Sequence, residues 1–154
     1  LLLIAGLGYG LAALILAGSG THTGGDLIAM TLKLRNRSVA LHALRDTGNI
    51  LRDPVTGQPV LVADSRLLHR LLPDIDQQCL YDPASVLPDL MQRYPNLRFR
   101  LIPYHSVGVT SGLLLAVRCC CRWKKQTAEV LTAFSPTAIS SDERFQAVWG
   151  GEIA

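Results

Sequence analysis

Hydrophobic positions change their spacing several times along this chain, and each spacing predicts an element. Leu1 to Gly18, LLLIAGLGYGLAALILAG, carries no charge and contains the Gly and Ala that bilayer helices tolerate. It predicts one transmembrane helix, the last of several, with the chain beginning inside it. A secretory signal fits less well, because no basic n-region or clear cleavage signature accompanies it. Ser19 to Gly25, SGTHTGG, reads as a linker without periodicity. Beyond it Met30, Leu32 and Leu34 alternate with Thr31, Lys33 and Arg35, the two-residue period of a half-buried strand. Asn36-Arg37 predicts a tight turn. In the next strand Val39, Leu41 and Ala43 face one way, and it runs directly into Asp46-Thr47-Gly48-Asn49.

Further on, Asp53 to Gly57 is a turn by composition and Pro59 to Ala63 a short apolar strand, together a hairpin. Asp64 or Ser65 caps a helix through Leu72, with Leu67, Leu68, Leu71 and Leu72 as its apolar stripe and Pro73 as its stop. Asp74 to Asn96, broken by Pro83, Pro88 and Pro95, predicts a loop with one helical turn around Leu87 to Tyr94. Leu97 to Tyr104 reads as a strand, with Phe99 and Leu101 on one face. His105 to Gly112 reads as a hairpin tip, Leu113 to Val117 as an apolar strand and Trp123 to Gln126 as a polar turn. Thr127 to Phe134 predicts a last strand, and Ser140 to Glu143 caps a short helix reaching Trp149. The sum is an all-β domain with short helices over residues 26–150.

Composition sharpens this only in places. The 49% hydrophobic content is rich for a soluble protein, and the first segment accounts for the excess. A net charge of +3 is too mild to argue for nucleic acid. Lys33, Arg35 and Arg37 lean towards a cytoplasmic location for the domain. Cys119, Cys120 and Cys121 stand in a row, so they cannot converge on one tetrahedral metal and their alternation argues against a disulfide framework. Reduced thiols are the expected state, and the triplet has no assigned role. His22, His42, His69 and His105 lack metal-ligand spacing, and Ser106 and Ser111 lack a nucleophile elbow, so neither a metal nor a cofactor is expected.

The informative stretch is Leu41 to Asn49, LHALRDTGN, where an alternating strand delivers an Asp to a turn closed by Gly. Hydrolysing a peptide without metal or covalent nucleophile needs one group to take a proton from water and another to protonate the carbonyl. Two carboxylates a few ångströms apart do both, because they share one proton. Gly48 lets the backbone turn sharply towards the carboxylate, and the Thr47 hydroxyl can lock the turn to a counterpart. The same letters also make ordinary turns.

Ala43 to Val62, ALRDTGNILRDPVTGQPVLV, and Arg98 to Gly108, RFRLIPYHSVG, resemble, in the same order, the C-terminal half of the sigma-factor processing peptidase of endospore-forming bacteria. That resemblance implies a polytopic membrane protein followed by a domain similar to retroviral proteases, a pepsin-type half barrel. It implies Asp46 as the catalytic aspartate, with Thr47 and Gly48 completing its turn. Leu101 to Tyr104 with Ser106-Val107-Gly108 would form a flap or substrate groove. The implied substrate is an inactive sigma-factor precursor, and the implied activator a signalling protein from the forespore side. Retroviral-type enzymes carry Ala or Ser where Asn49 stands. They also carry a hydrophobic pair plus Gly before a closing helix, which is matched here to Val130 to Phe134, a stretch without Gly.

One chain offers one Asp-Thr-Gly, so the resemblance leads to a homodimer with the dyad on its two-fold axis. Two other readings stand beside it: a catalytically silent membrane-anchored domain that binds a partner, and a retroviral-like protease with another substrate.

Overall fold

The computed structural model describes residues 26–46, 51–106 and 109–151, with backbone alone at 105–106 and 109–111. Leu1 to Gly18, the linker, Thr47, Gly48, Asn49 and the Val107-Gly108 tip lie outside them. Among the described residues, no helix is long and apolar enough to cross a membrane.

Seven strands account for most of the domain: β1 (Leu27–Leu34), β2 (Arg37–Arg45), β3 (Leu61–Asp64), β4 (Arg100–Ser106), β5 (Val109–Trp123), β6 (Gln126–Ser135) and β7 (Ala147–Trp149). Their order is β1-β2-β7-β3-β6-β5, and β5 pairs back onto β1, closing a six-stranded barrel. Closure pairs β1 with the end of β5, which would otherwise be open, and leaves β4 as the edge strand among the described residues. Strand β5 makes it possible by changing partners along its length. Its first half pairs with β4, Arg100 opposite Ala116, and its last residues, Cys120 to Trp123, pair with β1.

Alternation in β1 and β2 buries Met30, Leu32 and Leu34 and Val39, Leu41 and Ala43, as the pattern predicts. Their turn falls one residue earlier than expected. It comprises Arg35 and Asn36, because Leu34 pairs with Arg37, and Arg35 takes the left-handed conformation at φ 56°. Strand β3 is buried on both faces. Leu61 and Ala63 join a large core with the inner sides of β1, β2 and β5, whereas Val60 and Val62 join a second core with Ile102, Tyr104, Leu114 and Val148.

Helix α1 (Ser65–Leu71) begins at Asp64, whose carboxylate accepts the Arg66 N–H at 2.9 Å, and it buries Leu67, Leu68 and Leu71. A 3₁₀ turn (Gln77–Tyr81) leads to α2 (Pro83–Arg93), much longer than the single turn expected around Leu87. Pro83 occupies the first turn, where no N–H is needed. Pro88 sits inside the helix but is exposed, as is Ala84, so the carbonyl it leaves unbonded faces water.

Other expectations fail for related reasons. The predicted hairpin of residues 53–63 reduces to a single bridge, Arg52 to Pro59, because β3 pairs instead with β6 and β7. The strand expected from Leu97 starts at Arg100, after Arg98 turns left-handed at φ 53°. Trp123 ends β5 in the core, leaving Lys124-Lys125 as the turn. Nor is Thr127 to Phe134 the last strand. The helix expected to reach Trp149 is replaced by a turn at Ser141-Asp142 and by β7, which is inserted between β2 and β3. Burial of all three residues of β7 outweighs the local capping signal.

Candidate active site

The last residue that β2 delivers is Asp46. Strand β2 runs parallel to β7, with Ala43 opposite Ala147, Leu44 opposite Val148 and Arg45 opposite Trp149. Two parallel strands therefore end side by side, and the Asp46 N–H donates to the Trp149 carbonyl at 2.8 Å. On the other side the Arg45 N–H donates to the Asp26 carbonyl at 2.9 Å. Lower on the pair, Gln146 N–H donates to the His42 carbonyl at 2.9 Å and His42 N–H to Gln146 Oε1 at 3.0 Å. Asp46 is thus positioned by backbone on both flanks and is only 5% exposed. Thr47 and Gly48, the other two residues of the expected turn, lie outside the described residues.

Strand β7 holds a second stretch in which a hydrophobic pair is followed by Gly. The segment lying against the Asp-bearing strand is Ala147-Val148-Trp149, followed by Gly150-Gly151, whereas Val130 to Phe134 lies against β5 and β3. Gly151 has a local reason to be glycine, since a Cβ there would overlap the Trp149 indole. The sequence held this signal, but the short apolar run was absorbed into a predicted helix.

The loop after Asp46 is anchored by a second aspartate. Gly57 N–H donates to the Asp53 carbonyl at 2.8 Å, with Gly57 left-handed at φ 70°, and Asp53 N–H donates to Gln58 at 2.9 Å. The Asp53 carboxylate is fully buried and accepts from Val55 N–H at 3.0 Å and from Thr56 Oγ1 at 2.9 Å. Arg100 at the start of β4 adds its guanidinium, with Nη1 3.1 and 2.9 Å from the two oxygens. Burial alone would push this carboxyl up; the bonds from Val55 and Thr56 and the charge of Arg100 outweigh it and hold it below its ordinary value. The turn composition foretold the loop. Nothing in the sequence pointed to its partner.

Strands β4 and β5 pair antiparallel as far as Ser106 opposite Val109, so strand pairing runs into the stretch His105 to Gly112 predicted as a hairpin tip. Its inner residues Ile102, Tyr104 and Leu114 pack in the second core together with Val148 and with Leu44 and Leu51, which flank Asp46 in sequence. Tyr104 lies opposite Gly112, and a Cβ at that position would overlap the tyrosine ring.

The cysteine triplet has a structural role. Cys119 and Cys121 point into the large core and Cys120 points outward. Burial pushes the Cys119 thiol up to about 12 and that of Cys121 up to about 11, so both stay protonated and behave as small apolar side chains. Among the described residues, no group of His, Cys, Asp or Glu is arranged to hold a metal.

Comparison with known proteins agrees with the resemblance. The chain is 27% identical over 131 residues to the sporulation sigma-E factor-processing peptidase of Priestia megaterium, covering 80% of this chain and 42% of that protein. It is 29% identical over 95 residues to a Bacillus thuringiensis subsp. kurstaki protein provisionally named sporulation sigma factor-processing peptidase, covering 60% of this chain and 58% of that one. The chain thus spans about half the length of these curated relatives. No solved structure gives a significant match. A family model described as sporulation factor SpoIIGA matches residues 6–153, nearly the whole chain, and the protein belongs to that peptidase family.

Proposed function

We propose that this chain is the protease portion of a membrane-tethered aspartic endopeptidase that activates a sporulation sigma-factor precursor, with Asp46 from two chains forming the dyad. The observation that carries the reading is a buried carboxylate at the end of β2, its backbone bonded to Trp149 where two parallel strands stop together. A rigid, water-poor mount of this kind suits a carboxylate that must meet a partner at fixed distance. The β4–β5 hairpin supports it further, since its inner residues Ile102, Tyr104 and Leu114 pack in one core with Leu44 and Leu51, on either side of Asp46 in sequence.

In the proposed reaction one carboxylate takes a proton from water as the water attacks the scissile carbonyl, and the other, protonated, gives its proton to the carbonyl oxygen. The proton taken from water then passes to the leaving nitrogen as the C–N bond breaks, and a hydroxyl of the tetrahedral intermediate returns a proton to the second carboxylate. One Asp46 per chain makes activity depend on assembly. Tethering through Leu1 to Gly18, with the domain on the cytoplasmic side, raises the effective concentration of the two halves. A signalling protein from the forespore side then acts by promoting or rearranging the dimer. The substrate assignment rests on the names of the two relatives.

Co-expression of the full-length protein with a sigma-factor precursor tests this. Cleavage is expected with the native sequence and none with Asp46→Ala. Equal co-expression of native and Asp46→Ala chains should leave about one quarter of the activity, the fraction of dimers with two native copies. Retained cleavage by Asp46→Ala removes the reading, and activity falling only by half removes the shared dyad.

A further inference from the structure

At the β1–β2 turn, away from Asp46, the molecule holds a cavity of about 590 Å³ with an unusual charge. Lys33 on β1 pairs with Cys120 on β5, which pairs with Glu129 on β6, so these three positions lie in line across three adjacent strands. Arg118 stands two residues earlier on the same face of β5. Arg35 enters from the β1–β2 turn, and Arg98 and Arg100 from the start of β4. Separate parts of the chain thus bring five cations to one concavity.

Most of them are uncompensated. Arg100 is neutralised by Asp53. Among the described residues, Lys33, Arg35, Arg98 and Arg118 form no ion pair, and neither does Glu129. Four positive charges against one negative leave an excess of three, equal to the net charge of the entire chain. The rest of the molecule balances, and its charge is concentrated here. Gathering like charges costs stability, and folded surfaces ordinarily intersperse the two signs. Arg35 is also held in place, its guanidinium 5.5 Å from the centre of the Tyr94 ring.

We propose that this cavity binds a small ligand carrying several phosphate charges. Its volume falls in the range of small-molecule sites, about 300–1,000 Å³. Guanidinium forks match phosphate oxygens in geometry, and three excess charges balance a di- or triphosphate group. An extended acidic peptide would need charge spread along a groove, whereas here it converges on one concavity. The site is separate from the candidate active site: Lys33 lies opposite Ser38 at the start of β2, on the order of 25 Å along the strand from Asp46. Arg100 lines the cavity and holds the loop that follows Asp46, so the two regions share one side chain.

Titration calorimetry of the full-length protein in detergent micelles, with tripolyphosphate as probe, tests the site. Saturable binding is expected, weakened about 10- to 100-fold by the double substitution Arg98→Gln and Arg118→Gln. Glu129→Gln should tighten it about threefold, an opposite change that misfolding cannot produce. A second arm adds cardiolipin, a lipid with two phosphates, to the micelles; if it displaces tripolyphosphate from the native protein, the phosphate source is a lipid headgroup, and if it does not, a soluble one. Absence of saturable tripolyphosphate binding overturns the proposal. So does binding unchanged by the double substitution, or equal affinity for a polyglutamate peptide.

Discussion

Arg100 Nη1 lies 2.9 Å from one carboxylate oxygen of Asp53 and 3.1 Å from the other, tying the first residue of β4 to the loop that follows Asp46. Asp53 is fully buried and Arg100 one third exposed, so the pair is unequal. Removing the arginine leaves an uncompensated buried charge. Arg100→Ala is therefore expected to cost about 2–3 kcal/mol, below the largest buried-pair values because water reaches the guanidinium. Thermal unfolding of the detergent-solubilised protein would check it.

The same pair sets a pH dependence. Asp53 binds its proton less readily when folded than when unfolded, so its contribution is complete above the ordinary carboxylate value of 3.8. As pH falls through the lowered folded value, that contribution disappears. Native protein should lose more stability on acidification over this window than Asp53→Asn, measured as midpoints of unfolding at a series of pH values. Parallel curves would contradict the assignment.

Gly151 connects packing to the candidate dyad. A methyl group there would meet the Trp149 ring, and Trp149 supplies the carbonyl that holds the Asp46 N–H. Gly151→Ala should destabilise the fold by about 1–3 kcal/mol, the usual cost of overpacking. Precursor cleavage should fall further than the folded fraction does. Equal losses would mean that Trp149 has no bearing on how Asp46 is placed.

Within the β4–β5 hairpin, Gly112→Ala displaces the Tyr104 ring from the second core. The double change Gly112→Ala and Tyr104→Leu should recover part of the loss, because the smaller side chain leaves room for the methyl group. A thermodynamic cycle of the four proteins gives the coupling directly.

Thiol labelling should divide the cysteine triplet. Cys120 faces outward, whereas Cys119 and Cys121 are buried with thiols raised to about 12 and about 11. Alkylation of native protein near pH 8, followed by peptide mass spectrometry, should modify Cys120 and spare its neighbours until denaturant is added.

Local pattern alone determined a good deal of this protein. The alternation of β1 and β2, the cap at Asp64, the turn at Asp53 to Gly57 and the placing of Asp46 at a strand's end all depend on residues close together in sequence, where periodicity and turn chemistry act. Other features arise only when distant segments meet. The three residues of β7 are too few to show a period, and only insertion between β2 and β3 makes them a strand. Arg100 and Asp53 are 47 positions apart, and the cationic cavity gathers residues from four strands. Long-range pairing is selected by burial and charge compensation across the closed barrel, and neither is a property of any one segment of sequence.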